Sequence, residues 1–521
     1  MATEINGKNS QGVEKIAASF DDAMILTGFG VYNVVHMLLS GVILMGMIMQ
    51  SLALGYVLPA AKCDLGITTQ QQGLLSAIPF LAIILMSYFW GYLGDTRGRK
   101  PVMLCAMLAS ALFSILASFS PDTPSFAVLF FLSAIFMSGS TAVVYTYIGE
   151  FNNLHHRDKM VAFGSSFVGI GSVVLPAVSW LILPLEFEFH IPFLGIYYRS
   201  WRLLVVACTL PYICASLFLY YAPESPKFLN AIGHQEECLD VLQKMYSVNK
   251  WKAQNTFPVY TIISQNTKTT EVRNSGIGGL LRSMKDQTVP LFKMPLLPWT
   301  CLTCFVQFGI FATANGFYVW FPTILNSLLN HTGNETRICD ILNAPRLNDT
   351  IAECIDTLNV ETFERSIYIG LVFCSMYIIV GFLVDYIGKK LILIVILSVT
   401  GACGIGAHLA QDPSIGVMLF AIFQMCGACI GLMNAVSVEL FPTKLRAMAI
   451  CLAMMMGRVG SMIGSNLIGF LLDSNCAVSF YLFGGIIIVN GLVCFTLPSK
   501  NRMTKNNTNI EPTQFQTHEP A

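Results

Sequence analysis

Charge is what this chain has least of: Asp, Glu, Lys and Arg together make 12% of its 521 residues, against 54% hydrophobic ones. Mean hydropathy is +0.63. That scarcity excludes a water-soluble domain of this size and points to a protein that crosses a membrane many times. The 30 basic and 30 acidic residues cancel. Nothing in that balance calls for a nucleic-acid partner or for a protein held to a surface by charge. The polar opening of about thirty residues lacks a short apolar core followed by a small-residue cleavage site, so no cleaved signal peptide is expected and the first apolar run serves as its own insertion signal. Also lacking are a nucleophile with a partnered base, a cluster of metal ligands and a phosphate-cradling glycine loop. An enzyme, a metal site and a cofactor are therefore not expected.

What is present is a series of long apolar runs. A bilayer core of roughly 30 Å needs about 20 apolar residues per helix. Twelve stretches meet that need, near 35–60, 73–94, 101–119, 124–148, 160–184, 201–221, 298–322, 366–386, 390–410, 414–437, 447–472 and 476–497. The expected class is an all-α integral membrane protein of twelve transmembrane helices in two pseudo-symmetric six-helix bundles. Residues 1–34 form an N-terminal segment, 35–221 one half, 222–297 a linker, 298–497 the other half and 498–521 a tail.

Loop charge orients the spans. The linker 222–297 holds nine Lys/Arg against six acids, and the loop 323–365 holds three Arg against seven acids. The positive-inside rule makes the linker and both termini cytoplasmic and turns 323–365 outward. The outward loop carries glycosylation sequons at Asn330, Asn334 and Asn348, together with Cys339 and Cys354. Both features suit an oxidising space, and a disulfide between Cys339 and Cys354 is expected. A further sequon at Asn506 falls in the cytoplasmic tail and is expected to stay unmodified.

The few charges between spans repeat. GYLGDTRGRK contains Gly91, Asp95, Gly98, Arg99 and Lys100; GFLVDYIGKK contains Gly381, Asp385, Gly388, Lys389 and Lys390 at an offset of 290. Glu150 and Arg157 in EFNNLHHR recur as Glu439 and Arg446 in ELFPTKLR at an offset of 289. Two unrelated motifs at nearly one spacing make the chain two homologous halves. In each half the Gly/Asp/basic motif joins the second and third helices, and the Glu/Arg motif lies between the fourth and fifth. Acids and bases at helix ends can pair weakly and part again, so these residues read as conformational latches.

Twelve spans with this doubled motif resemble the major facilitator superfamily, over nearly the whole chain. FDDAMILTGFG at 20–30, YIGEF at 147–151, YAPESPKFL at 221–229, YVWFP at 318–322 and VELFPTKLRA at 438–447 narrow the resemblance to the synaptic vesicle glycoprotein 2 and organic-ion-transporter-like branch. The resemblance implies alternating access about a central cavity lined by helices 1, 4, 7 and 10. Polar or aromatic residues there are candidates for a small solute: Gln50, Tyr56, Tyr145, Asn315, Tyr318, Trp320, Gln424 and Asn434. Ordinary packing is the competing reading for each. Glycines in helix 5 (Gly164, Gly169, Gly171) and helix 11 (Gly460, Gly464, Gly469) suit close packing. Pro59 and Pro322 are expected to end or kink helices 1 and 7.

No acid lies in the interior of any span, which speaks against proton symport. One base does: Arg458, about eleven residues into the eleventh stretch, on the order of 16 Å deep at 1.5 Å per residue. An arginine there faces a cavity or a partner. It can supply the counter-charge for an anionic substrate, since its planar fork suits a carboxylate; alternatively it hydrogen-bonds helix carbonyls or an amide such as Asn434. Two functions stay open: a facilitative or secondary-active carrier of a small organic solute with a mild preference for anions, monomeric, in a plasma or vesicle membrane; or a carrier-fold vesicle glycoprotein that no longer transports. In the linker, Ser225 and Pro226 start a short amphipathic helix.

Overall fold

Capping chemistry sets where many of the helices begin. Asp122 accepts the amide of Ser125 and Pro124 occupies the first turn, so a helix opens at Thr123; Asn153 does the same through the amide of His156, and Asp412 through Ser414 ahead of Pro413. The computed structural model describes residues 7–8, 14–263, 285–286, 288–329, 337–343 and 358–498. Among these, twelve helices are long and apolar enough to cross a membrane: Val31–Ala60, Thr69–Arg97, Arg99–Ser118, Thr123–Glu150, Leu154–Ile182, Ser200–Tyr221, Leu297–Leu329, Val360–Val384, Lys389–Leu409, Pro413–Leu440, Met448–Ser474 and Cys476–Thr496. They are numbered below as the first to twelfth spans.

The fifth begins at Leu154 rather than 160, because Asn153 caps the polar turn that hydropathy leaves out. Pro59 lies one residue from the end of the first span, as expected, but Pro322 neither ends the seventh nor breaks it: the helix continues to Leu329. An internal proline removes one amide donor, and a membrane helix tolerates that when neighbours pack around it.

Contacts divide the chain into two compact units. The first comprises Met1–Ile67, Leu81–Ile277 and Cys354–Cys374; the second comprises Thr68–Phe80, Gly278–Glu353 and Ser375–Ala521. The opening turns of the second span thus belong with the second unit, where Gln72 Nε2 donates to Thr323 at 3.3 Å. Those of the eighth belong with the first, where Gly370 lies against the Ser172 backbone.

In the first unit the spans pack through small residues: Gly41 meets the Phe167 ring, Gly46 the Tyr212 ring and Gly139 the Trp90 indole. The linker adds two helices, Pro226–Ile232 and Gln235–Lys250. Ser225 caps the first, and the second buries Cys238, Val241, Leu242, Met245 and Tyr246 on one face. Burial pushes the Cys238 thiol up to about 12. Asn249 near the end of this helix accepts the Tyr32 amide at 3.0 Å and donates to Asn33 Oδ1 at 2.8 Å; Asn33 in turn donates to the Phe151 carbonyl at 2.8 Å. The N-terminal segment is also drawn in: Glu14–Ala18 runs parallel to Val259–Ile262 as strands of a small sheet. At the far end of the unit, Arg202 is fully buried. It donates to Asp64 at 2.9 Å and to the Ser118 and Ser120 carbonyls at 2.9 and 2.7 Å, satisfying the end of the third span.

In the second unit the seventh and eleventh spans lie backbone to backbone. Gly460 faces the Phe308 carbonyl, Gly464 the Ala312 carbonyl and Gly469 the Trp320 ring, so any side chain at these positions would collide. Phe317 sits amid Phe420, Phe423, Phe480 and Phe483, with ring centroids 5.3–5.6 Å apart. The expected Cys339–Cys354 bridge is overturned: Cys339 is bonded to Cys476. The short helix Ile338–Asn343 docks Ile338 against Gly416 and brings the Cys339 Cα within 5.5 Å of that of Cys476, which opens the last span. Bridging distance, not nearness in sequence, decides the pair. Cys354, Asn330, Asn334 and Asn348 lie outside the described residues. Cys63 in the first unit is disulfide-bonded as well, which the sequence reading missed.

Candidate functional site

The glycine before the third span has φ +107° at Gly98, and its counterpart Gly388 has φ +89°. Only glycine takes this backbone region without strain, so the residue lets the chain turn sharply from one span into the next. The turn delivers the following base, Arg99 or Lys389, toward the end of the fourth or tenth span.

In the first unit Arg99 Nη2 donates to Glu150 Oε1 at 3.1 Å, and its Nε lies 3.0 Å from Oε2 without the alignment of a hydrogen bond. The Arg99 and Glu150 side chains are 11% and 6% exposed, so this is a buried pair. Arg99 also reaches Asp95 at 3.0 Å and the Gly94 carbonyl at 3.1 Å. The linker completes the cluster. Ser225 Oγ donates to Glu150 Oε2 at 2.5 Å, and the Phe228 ring lies 4.8 Å from the guanidinium carbon. The Glu224 carboxylate accepts the amides of Arg99, Lys100 and Ser225 at 3.1, 3.2 and 2.7 Å, capping the third span. It occupies the space that a side chain at Gly98 would need. Burial raises the Glu224 carboxyl above its ordinary value, against the lowering pull of those amides and of Arg99. Arg157 lies against Gly149. Nothing lies within contact of a side chain at Gly91.

In the second unit Lys389 Nζ is 2.5 Å from Glu439 Oε1 and 3.4 Å from the Ala435 carbonyl. Its side chain and that of Glu439 are 28% and 38% exposed. Lys390 turns the other way and donates to the Phe495 and Leu497 carbonyls at 2.7 and 2.5 Å, closing the end of the last span. Among the described residues nothing lies within 4 Å of a side-chain carbon placed at Gly381 or Gly388. The Nε atom of Arg446 is buried without a hydrogen-bond partner among the described residues. Asp385 stands in the backbone of the eighth helix at the position matching Asp95.

The solute candidates divide between the units. In the first, Gln50 is buried and accepts from Ser110 at 3.0 Å, while Ser110 bridges on to Ser133 at 3.2 Å. Tyr56 is buried with its ring 6.2 Å from that of Phe363. Tyr145 is 38% exposed. In the second unit a ladder of contacts climbs the seam of the seventh and eleventh spans. Gln307 Nε2 donates to Asn434 Oδ1 at 2.8 Å, and Asn434 reaches the Met454 sulfur at 3.4 Å. One turn on, Arg458 lies over the Phe311 ring, 5.2 Å from its centroid. A further turn on, Asn315 donates to Ser461 at 3.0 Å. Trp320 is buried and donates to the Ser465 carbonyl at 2.8 Å, which makes it a packing residue of this seam. Tyr318 is half-buried on the same helix, and Gln424 is buried with no hydrogen-bond partner for its Nε2 among the described residues. Sequence reasoning missed Gln307, Phe311, Glu224 and Phe228; the spacing of four residues in Gln307/Phe311 and Met454/Arg458 was the available signal. No group of His, Cys, Asp or Glu that could hold a metal occurs among the described residues.

The sequence profile of the Major Facilitator Superfamily matches residues 37–339 and 366–518, and the chain belongs to that family. Its members are transporters rather than enzymes, and the chain is accordingly a multi-pass membrane protein with a transporter fold. By sequence it is similar to synaptic vesicle glycoprotein 2C of Mus musculus, 26% identical over 62% of this chain and 47% of that one. It is also similar to synaptic vesicle glycoprotein 2B of Homo sapiens, 23% identical over 62% and 50%. The chain spans about half the length of these curated relatives. In fold it matches the inward-open xylose transporter XylE from E. coli, with TM-score 0.66 at 14% identity over 92% of this chain and 100% of that one. A bacterial homolog to human lysosomal transporter Spinster matches with TM-score 0.61 at 13% identity, over 92% and 99%.

Proposed function

We propose that this protein carries a small organic solute across its membrane by alternating access, facilitatively or by exchange, with a preference for anions. The observation that carries the reading is Arg458. It stands farther from both ends of its span than any other charged residue of the twelve, and a permanent charge at that depth is costly unless it serves a ligand or a partner. Its guanidinium carbon lies 5.2 Å from the centroid of the Phe311 ring, and a planar guanidinium is the side chain best matched to a carboxylate or similar group. The amide ladder of Gln307 and Asn434 one turn away offers hydrogen-bonding groups for the neutral part of such a solute. Lack of intramembrane acids argues for transport without proton coupling. The motif residues Gly91, Asp95, Gly98, Arg99, Lys100, Glu150 and Arg157, with Asp385, Lys389, Lys390, Glu439 and Arg446, act as latches that hold one state of the cycle. Loop charge supports cytoplasmic termini and an outward, glycosylated 323–365 loop.

A second reading, a carrier-fold membrane glycoprotein without transport, is favoured by the similarity to synaptic vesicle glycoproteins. The test is uptake into proteoliposomes of labelled organic anions, cations and neutral solutes, with and without a pH gradient, by the unmodified protein and by Arg458→Ala and Arg458→Lys. Saturable anion uptake, insensitive to the gradient, lost in the alanine variant and partly kept in the lysine variant, supports the carrier. Normal anion uptake by Arg458→Ala removes Arg458 from the site, and no uptake of any solute by folded protein supports the second reading.

A further inference from the structure

The connection between the fifth and sixth spans is a rigid hairpin with an oily tip. Phe189–Ile191 pairs antiparallel with Ile196–Tyr198 in the register Phe189 to Tyr198, His190 to Tyr197 and Ile191 to Ile196. The Leu194 amide donates to Ile191 at 3.2 Å, the Gly195 amide to Pro192 at 3.3 Å, and Gly195 closes the turn at φ +63°. Turns this tight favour Gly, which takes positive φ freely, and Asn, Asp or Ser, whose side chains bond the turn's own backbone. Here the apex is Phe193, 95% exposed, flanked by Pro192 and Leu194, and residues 191–198 carry no charge.

The root of the hairpin is fixed to the bundle. Ile196 is buried, Tyr198 packs on Phe119 with centroids 5.3 Å apart, Ser200 Oγ donates to the Leu183 carbonyl at 3.2 Å, and Arg199 pairs with Glu188 at 2.8 Å. With strands of three residues the tip stands no more than about 10 Å from the root, at roughly 3.3 Å per residue. Exposed apolar residues also mark the end of the fifth span and the approach to the hairpin, Trp180 (42%), Leu181 (72%), Leu185 (48%) and Phe189 (66%), with the exposed acids Glu186 and Glu188 between the last two. The outer wall of a span is clothed by lipid in a multi-pass protein, and aromatic residues concentrate where such a wall meets the headgroups.

We infer that this hairpin is a membrane anchor. Its Phe193 tip enters the interfacial layer of the leaflet opposite the linker and ties the loop between the fifth and sixth spans to the lipid. The ligand is the bilayer itself, through the apolar layer below its headgroups, without headgroup specificity. The proposal does not depend on transport.

The test places an environment-sensitive fluorescent amino acid at position 193 of the full chain in phosphatidylcholine nanodiscs and compares quenching by bromine-labelled acyl chains with quenching by aqueous iodide. The same residue at position 254, exposed in the linker, is the water-facing reference. The expected result is blue-shifted emission at 193, with bromolipid quenching several-fold stronger and iodide quenching several-fold weaker than at 254. A reporter at position 189 keeps the test open if the first variant fails to assemble, with the same ordering expected. Emission and iodide quenching equal to those at 254 would overturn the anchor, as would protection from both quenchers, which would mean that protein covers the tip.

Discussion

The charged turn of the first unit and its counterpart in the second are written with one motif and built differently. Arg99 and Glu150 form a hydrogen-bonded ion pair, buried under Ser225, Glu224 and Phe228 of the linker. Lys389 and Glu439 make a single ion contact, each about a third exposed, and none of the described linker residues lies against Gly388. A desolvated guanidinium paired with a buried carboxylate holds its partner more tightly than an ammonium in contact with water. The repeat has therefore diverged into a firm clasp and a loose one. Under the alternating-access cycle proposed above, the loose pair is the one better suited to release.

Each prediction tests this asymmetry. The largest effect is expected for Glu150→Ala, which takes away the buried partner of Arg99 and leaves it the exposed Asp95 and the Gly94 carbonyl; breaking a buried pair costs up to about 3–5 kcal/mol, read as a lowered melting temperature of the purified protein. Ser225→Ala removes both the cap of the linker helix and the hydroxyl on Glu150, and a loss of about 1–2 kcal/mol is expected in the same assay. Glu439→Ala should cost about 0–1 kcal/mol, the range of exposed pairs, and Lys389→Arg should leave stability unchanged or slightly raised. A cost for Glu439→Ala equal to that of Glu150→Ala would abolish the distinction. The smallest effect is in pH. Because burial raises the Glu224 carboxyl in the folded protein, its contribution is fully present below the ordinary carboxylate value and is lost as pH rises through the raised one. Melting temperature should drift down over that window, and Glu224→Gln should flatten the drift.

The twelve spans and the doubled motif were legible because hydropathy and spacing are local signals. Ser225 was legible as a cap for the same reason, but its hold on Glu150 crosses 75 positions of sequence and was not. Glu224 sat in plain view beside it, yet no local rule links it to the amides of Arg99 and Lys100. Nothing local marks Arg202; its burial and its pairing with Asp64, 138 positions away, emerge only in the fold. The disulfide failed for one reason: Cys354 is the nearer cysteine in sequence, whereas Cys476 is brought close by the docking of Ile338 against Gly416. Arg458 was found from its depth alone, while its seat on Phe311 required the packing of two spans.

Counterflow tests the central claim most directly. Proteoliposomes holding the full-length protein are preloaded with an unlabelled organic anion, and entry of the labelled anion is timed against empty vesicles. The account predicts that preloading accelerates entry in the unmodified protein and that Arg458→Ala abolishes the acceleration. Equal entry with and without preloading, by protein shown to be folded, would contradict a carrier that alternates its access.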